Sequence, residues 1–87
     1  MTKNIEIYTT MFCPFCSQAK KLLKNKGVSY KEIDVTVSGG LRQEMMKRAG
    51  GAHTVPQIFV DGEHVGDSDY VHMLDNAGKL DTILGLN

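Results

Sequence analysis

The first third of the chain has the pattern of a strand, a helix and a second strand. Residues 5–9 alternate with a period of two and are rich in strand-forming types. Pro14 suits the first position of a helix, and apolar residues then recur at helical spacing until Gly27, a natural helix end. A second strand is centred on residues 30–35. This order predicts a βαβ unit with two parallel strands and a right-handed crossover.

The rest of the chain predicts a second helix, a hairpin and two further helices. Asp61-Gly62 is a strong two-residue turn signal between two strands. The expected bounds are about 41–49 for the second helix, 57–60 and 63–65 for the strands, and 68–77 and 79–84 for the last helices. The order β-α-β-α-β-β-α-α predicts an α/β fold, a four-stranded mixed sheet with flanking helices, which matches the thioredoxin fold. A ferredoxin-like split fold is the alternative, but it would not begin with two parallel strands joined by the first helix.

Composition describes one small domain, residues 1–87, and narrows the classes of function. Hydrophobic residues are 41% and charged residues 23%, which is typical of a globular chain and argues against disorder. Ten Lys and Arg residues balance ten Asp and Glu residues, so neither nucleic acid nor an anionic membrane is an expected partner. The chain has no apolar run of roughly 20 residues and no secretory signal pattern, and only two cysteines; we expect a cytoplasmic protein.

Cys13-Pro14-Phe15-Cys16 is the sharpest chemical signal in the sequence. Two cysteines at positions i and i+3 lie one helical turn apart, close enough to form a disulfide after a small adjustment. Cys13 is expected at the N-cap, where free backbone N–H groups and the helix dipole favour the nucleophilic thiolate. Cys16 should be more buried, which suits a thiol that attacks only a mixed disulfide. The position after the first strand of a βαβ unit favours a redox motif.

Other interpretations of the cysteine pair stay open at this point. It could be a half-buried structural pair, or a ligand set for a metal. A structural zinc site needs four Cys or His ligands at paired spacings, and the sequence offers one such pair and three scattered histidines, so no metal site is predicted. An iron–sulfur cluster that Cys13 shares with other ligands is the more serious alternative.

Two further segments could take part in a binding site. Thr54-Val55-Pro56 precedes the third strand, and because only about 5–6% of X–Pro bonds are cis, the sequence alone does not decide the isomer. Residues 66–69 lead into the third helix, where a Ser or Asp side chain would cap it and free N–H groups would bind an anion. A plain helix cap is an equally good interpretation of that turn.

The whole chain resembles the small bacterial glutaredoxins of the dithiol class. The matching segments follow the family's order and spacing: Ile7-Tyr8-Thr9, Cys13-Pro14-Phe15-Cys16, Ala19-Lys20, Leu22-Leu23, Lys26-Gly27-Val28, residues 54–60 and Gly66. The resemblance implies a thioredoxin fold and glutathione-dependent thiol–disulfide exchange. Cys13 would be the nucleophile and Cys16 the resolving thiol, with glutathione as a co-substrate and no bound cofactor.

The resemblance also implies where glutathione binds. The Val55-Pro56 bond would be cis, and the Val55 backbone would pair with the cysteinyl part of glutathione. Backbone N–H groups at Ser68 and the Asp69 carboxylate would hold the γ-glutamyl end, and Arg42 would hold the glycyl carboxylate. The implied glutathione-binding residues are Phe15, Arg42, Thr54, Val55, Pro56, Ser68 and Asp69.

Three positions depart from the family's usual pattern. Phe15 stands where a Tyr is usual, Thr10 where many members have Lys, and Asp67 where a second Gly is common. Thr10 therefore lacks a cation for the glycyl carboxylate, and Asp67 adds negative charge near a site for another carboxylate. The missing cation should weaken the binding of glutathione. The added carboxylate should weaken it too, unless Asp67 points away from the ligand.

The resemblance predicts a glutathione-disulfide oxidoreductase that reduces protein disulfides and protein–glutathione mixed disulfides. Its role would be electron transport and cell redox homeostasis. The implied partners are glutathione and disulfide-containing or glutathionylated proteins, ribonucleotide reductase among the candidates, and we expect a monomer. Three alternatives remain: an iron–sulfur cluster carrier that uses Cys13 plus glutathione, a thioredoxin-like reductase fed by a flavoprotein, and a redox-silent binding domain.

Overall fold

The computed structural model describes residues 3–86, which form a four-stranded sheet and four helices; residues 1, 2 and 87 of the predicted domain lie outside the described part. The elements in chain order are β1 (Ile5–Thr9), α1 (Pro14–Asn25), β2 (Lys31–Asp34), α2 (Gly39–Arg48), β3 (Gln57–Val60), β4 (Glu63–Gly66), α3 (Ser68–Asn76) and α4 (Leu80–Leu84). The sheet order is β2-β1-β3-β4. β1 pairs parallel with β2, and β3 pairs antiparallel with both β1 and β4. The predicted thioredoxin-type α/β fold is confirmed.

Local sequence signals account for most helix ends. Helix α1 begins at Pro14, and Gly27 follows it in the left-handed region at φ 73°. Helix α2 begins two residues before the predicted start, because the Ser38 hydroxyl accepts the Leu41 N–H at 3.2 Å and caps the helix there. Strand β2 is shorter than predicted and spans Lys31–Asp34.

Two apolar clusters lie on opposite faces of the sheet. Alternation along β1 and β3 directs successive side chains to different faces. One face packs against α1, α3 and α4, with buried residues Ile5, Ile7, Ala19, Leu23, Val28, Ile58, Val60, Val71, Leu74, Leu80 and Leu84. The other face packs against α2, with buried residues Tyr8, Val35, Met45, Ala49 and Phe59. Each fully buried large apolar side chain contributes about 1.5–3 kcal/mol, so these layers hold the sheet rigidly beneath the loops that follow β1 and precede β3.

Charged side chains join helices to one another and to the sheet. The Lys26 ammonium lies 2.6 Å from the Asp75 carboxylate and 2.7 Å from the Asp81 carboxylate, which joins the end of α1 to α3 and to α4. Arg48 of α2 bonds to Glu6 at 2.8 Å on the other face. Within residues 3–86, none of the helices combines the length and apolar character that crossing a bilayer requires.

Candidate active site at the start of helix α1

Cys13 occupies the N-cap of α1. Its backbone is extended, with φ −110° and ψ 106°, and the Cys16 N–H donates to its sulfur at 3.2 Å. The Cys13 thiol is half-buried and lies 3.8 Å from the Val55 carbonyl oxygen, to which it donates. A backbone N–H directed at the sulfur stabilises negative charge there. The predicted N-cap position of Cys13 is confirmed.

Cys16 lies one helical turn further along and is 1% exposed. Both cysteines are free thiols. Burial, and after it the hydrogen bond with Cys13, raises the pKa of Cys16 to about 12. Cys16 therefore stays protonated near neutral pH and is shielded from solvent, while Cys13 is accessible. This confirms the predicted difference in burial between the two thiols.

The loop before β3 faces the Cys13 sulfur. Its Val55-Pro56 peptide bond is cis, which the sequence left open and the family resemblance implied. Pro56 is buried, and the Val55 carbonyl is the group of this loop that the Cys13 thiol contacts, at 3.8 Å. The loop therefore contacts the first cysteine of the dithiol through this carbonyl.

A cavity of about 250 Å³ opens between this loop, α1 and the start of α3. The predicted glutathione-binding residues other than Arg42 all line it, together with Asp67. The lining residues are Phe15, Thr54, Val55, Pro56, Asp67, Ser68 and Asp69. The Phe15 side chain is 55% exposed, so its ring forms an accessible apolar wall rather than part of the core.

The start of α3 supplies polar groups to this cavity. Asp67 is the N-cap, and its carboxylate accepts the Tyr70 N–H at 2.9 Å. The negative charge that Asp67 adds near the expected carboxylate site is therefore bound to the backbone of α3. Ser68 is 3% exposed, and its backbone oxygen accepts a hydrogen bond from His72 Nδ1 at 2.7 Å. Among residues 3–86, the exposed Asp69 carboxylate forms neither an ion pair nor a hydrogen bond.

Arg42 lies outside the cavity lining. Its Nη2 atom donates to the His53 carbonyl at 2.9 Å, so the side chain reaches from α2 to the loop that carries Val55. The contact that the structure shows for this guanidinium is with the protein backbone. Its predicted contact with a ligand remains a prediction.

A polar groove of about 410 Å³ lies on the other side of Cys13. Lys20 and Glu32 pair across it at 3.0 Å, and the buried Thr9 hydroxyl donates to the same Glu32 oxygen at 2.8 Å. The Thr9 hydrogen bond, followed by Lys20, holds the pKa of Glu32 below its usual value. The sequence did not predict this network, although the parallel pairing of β1 with β2 was a signal that Thr9 and Glu32 are near each other.

Metal-ligating side chains are sparse around the dithiol. Within residues 3–86, no group of three or more His, Cys, Asp or Glu side chains is arranged to hold a metal ion. A cluster bound through Cys13 would therefore need ligands from other molecules, as that alternative assumes.

The fold and the reduced dithiol at a helix N-terminus define a thioredoxin-type domain for thiol chemistry. The glutaredoxin family model matches residues 5–65. Glutaredoxin 3 of Escherichia coli strain K12 is 48% identical over 81 residues, which cover 93% of this chain and 96% of the relative. The chain belongs to the glutaredoxin family, whose members are thiol oxidoreductases.

Solved structures agree with this assignment. The solution structure of a glutaredoxin from Brucella melitensis superposes with a TM-score of 0.85 at 42% identity, covering 98% of this chain and 91% of that one. A buckwheat glutaredoxin in complex with glutathione gives a TM-score of 0.85 at 27% identity, covering 95% of this chain and 77% of that one.

Proposed function

We propose that this protein is a glutathione-dependent oxidoreductase that reduces protein–glutathione mixed disulfides and protein disulfides. The observation that carries the proposal is the Cys13 sulfur, which lies against the Val55 carbonyl at the edge of the cavity. The cavity offers an apolar wall, free backbone groups and an unpaired carboxylate within reach of one nucleophile. The buckwheat glutaredoxin bound to glutathione supports the choice of ligand.

Unpaired groups of the cavity, together with Arg42 outside its lining, match the chemistry of glutathione from end to end. Among residues 3–86, the backbone N–H groups of Val55, Ser68 and Asp69 donate to no protein acceptor. Val55 would pair with the cysteinyl backbone, and the α3 N-terminus would bind the γ-glutamyl carboxylate. The Asp69 carboxylate would bind the γ-glutamyl ammonium. The guanidinium N–H groups of Arg42 that do not contact His53 would reach the glycyl carboxylate.

The reaction on a mixed disulfide follows from this arrangement. The Cys13 thiolate attacks the glutathione sulfur, the substrate S–S bond breaks, and the protein thiolate leaves and takes up a proton. Glutathione is then joined to Cys13 by a new disulfide. The thiolate of a second glutathione attacks the glutathione sulfur of that disulfide. Glutathione disulfide is released, and Cys13 returns as a thiolate.

Reduction of a protein disulfide needs the second thiol. Cys13 attacks one sulfur of the substrate and forms a mixed disulfide with it. Cys16 then attacks the Cys13 sulfur as a thiolate, and its proton passes to the second substrate thiolate that it displaces. A Cys13–Cys16 disulfide remains. Two glutathione molecules reduce that disulfide in sequence. The high pKa of Cys16 keeps it from competing with Cys13 for the first attack.

We further propose that the protein acts in the cytoplasm, on glutathionylated and disulfide-containing proteins. A reducing compartment rich in glutathione keeps such a dithiol reduced and supplies the second thiol. The relatives that match it include bacterial glutaredoxins.

A coupled assay tests the proposed function. The protein is mixed with glutathione, glutathione reductase, NADPH and a mixed disulfide of glutathione with a small thiol, and NADPH oxidation is followed. We expect oxidation that requires both glutathione and Cys13, with Cys13→Ser as the control. Oxidation supported by thioredoxin reductase but not by glutathione would instead identify a thioredoxin-like reductase. No oxidation with either reductant would contradict both interpretations.

A further inference from the structure

Gln57 is a buried amide at the first position of β3, on a strand whose other residues are apolar. Its side chain is among the most deeply buried, at 2% exposure. The Nε2 atom donates to the Thr54 carbonyl at 3.0 Å and lies 3.4 Å from the Thr54 hydroxyl. The Oε1 atom lies 2.6 Å from His64 Nε2. An amide in an apolar layer is costly unless its donors and acceptor are used, and here they are used.

The contacts of Gln57 determine which way its amide faces. Because Nε2 donates to the Thr54 carbonyl, Oε1 must accept, and His64 Nε2 must carry the proton. The His64 ring is held in place by Phe59, whose centroid is 5.1 Å away and which is fully buried. A chain of contacts therefore runs from β4 through β3 to the loop of the candidate site.

Three successive carbonyls of this loop are each bound by a side chain. Arg42 donates to the His53 oxygen at 2.9 Å, Gln57 to the Thr54 oxygen at 3.0 Å, and the Cys13 thiol to the Val55 oxygen at 3.8 Å. The contact from the Cys13 thiol is the weakest of the three, and it is lost when Cys13 reacts, because the sulfur then carries a substrate in place of the hydrogen. The hydrogen bond to the Thr54 carbonyl remains and holds the peptide group next to Val55.

We infer that Gln57 and His64 are positioning residues, which hold the Thr54 carbonyl so that the Val55 backbone faces the cavity in one orientation. This inference rests on the proposed function, in which that backbone pairs with glutathione. Loss of the Thr54 contact lets the peptide plane rotate, so binding of the glutathione moiety weakens while the Cys13 sulfur is unaltered.

Substitutions at Gln57 and His64 separate this role from ordinary packing. In Gln57→Glu the carboxylate has no N–H, so an oxygen faces the Thr54 oxygen and repels it. In His64→Glu an acceptor faces Oε1 and favours a flipped amide, which again places an oxygen against Thr54. His64→Gln keeps an N–H donor at this exposed position and is the matched conservative variant.

Kinetics in the coupled assay give the first readout. We expect Gln57→Glu and His64→Glu to raise the KM for the glutathione mixed disulfide about tenfold with little change in kcat. His64→Gln, which keeps the N–H donor, should have a KM close to that of the unaltered protein. Ile58→Val removes a buried methyl group from the opposite face of the same strand, so it should lower the melting temperature without raising the KM. If the unaltered protein is active and Gln57→Glu has the same KM, the inference is overturned and the proposed function remains intact.

Amide resonances test the positioning without any activity. In ¹H–¹⁵N spectra of the reduced protein, His64→Glu should shift the Thr54 and Val55 amides strongly, whereas His64→Gln should shift them little. If both variants shift these amides equally, or neither does, Gln57 and His64 do not position the loop. Failure of the unaltered protein in the coupled assay would contradict the proposed function, and these shifts would still decide the positioning.

Discussion

The two sides of Cys13 are built from different chemistry. On the cavity side, the walls are an aromatic ring, backbone N–H groups and the Asp69 carboxylate, which has no partner among residues 3–86. On the groove side, the charges are already engaged. Lys20 and Glu32 lie 3.0 Å apart, and Asp34 accepts the Thr36 N–H at 2.8 Å.

The paired charges of the groove suit a role in stability, and the unpaired groups of the cavity suit a role in binding a ligand. Charges that pair within the chain gain little from a ligand, because binding must first break the existing contact. Groups without a protein partner exchange only water for the ligand, so their net gain on binding is larger. The larger of the two openings is the groove, at about 410 Å³ against 250 Å³, yet among residues 3–86 the Asp69 carboxylate, which has no partner, lines the smaller cavity. We therefore propose that glutathione is recognised in the cavity.

Of the substitutions proposed here, Asp69→Lys should weaken the binding of glutathione in the cavity most. The substitution removes the partner of the γ-glutamyl ammonium and puts a like charge in its place. We expect the loss of a charge-assisted contact, about 1.5–3 kcal/mol, as a rise of more than tenfold in the apparent KM for glutathione. Steady-state kinetics measure it. Glu63→Lys makes the same charge change at the exposed first residue of β4 and is the control. Equal KM values for the two variants would show that Asp69 does not contact glutathione.

Glu32→Gln tests the groove side through stability at acid pH. The pKa of Glu32 is lowered in the folded protein, so its stabilising contribution is present above the unfolded value of about 4.3 and disappears as the pH falls through the folded value. The side chain is 39% exposed, so we expect only about 0.2–1 kcal/mol. Urea unfolding should show the variant less stable at pH 7 and equal to the unaltered protein in strong acid. A constant difference at every pH would rule out this ionised contact.

Thr10→Lys should have the smallest effect and would extend recognition to the groove side. Thr10 lies at the groove wall next to Cys13, where many family members have a Lys. An exposed ion pair with the glycyl carboxylate contributes about 0.2–1 kcal/mol, so glutathione should bind a few-fold more tightly at low salt. The gain should vanish at high salt in a titration series. Weaker binding would place Thr10 away from that carboxylate.

Local patterns in the sequence were sufficient to predict the elements and the dithiol. The Asp61-Gly62 turn requires two residues with positive φ, and the values are 51° and 82°. The N-cap position of Cys13 followed from Pro14 at the next position. Such features depend on a few neighbouring residues, so a single sequence is enough to predict them.

Particular side-chain contacts could not be predicted from the sequence. The Gln57–His64 bond joins the two strands of the predicted hairpin, but the turn signal does not say which polar side chains will meet across them. The bond from Arg42 to the His53 carbonyl depends on how the loop after α2 folds back. A polar residue at the start of an apolar strand was the only hint of the first, and nothing local indicated the second.

We propose that Cys13 acts alone on glutathione mixed disulfides, and that Cys16 serves only to resolve the mixed disulfide between Cys13 and a protein substrate. Cys13→Ser and Cys16→Ser are compared in the coupled assay and by intact mass after exposure to oxidised glutathione. We predict that Cys13→Ser is inactive, and that Cys16→Ser keeps substantial activity on the small mixed disulfide and accumulates one glutathione adduct on Cys13. If Cys16→Ser is as inactive as Cys13→Ser and carries no adduct, the monothiol route and the account built on it are wrong.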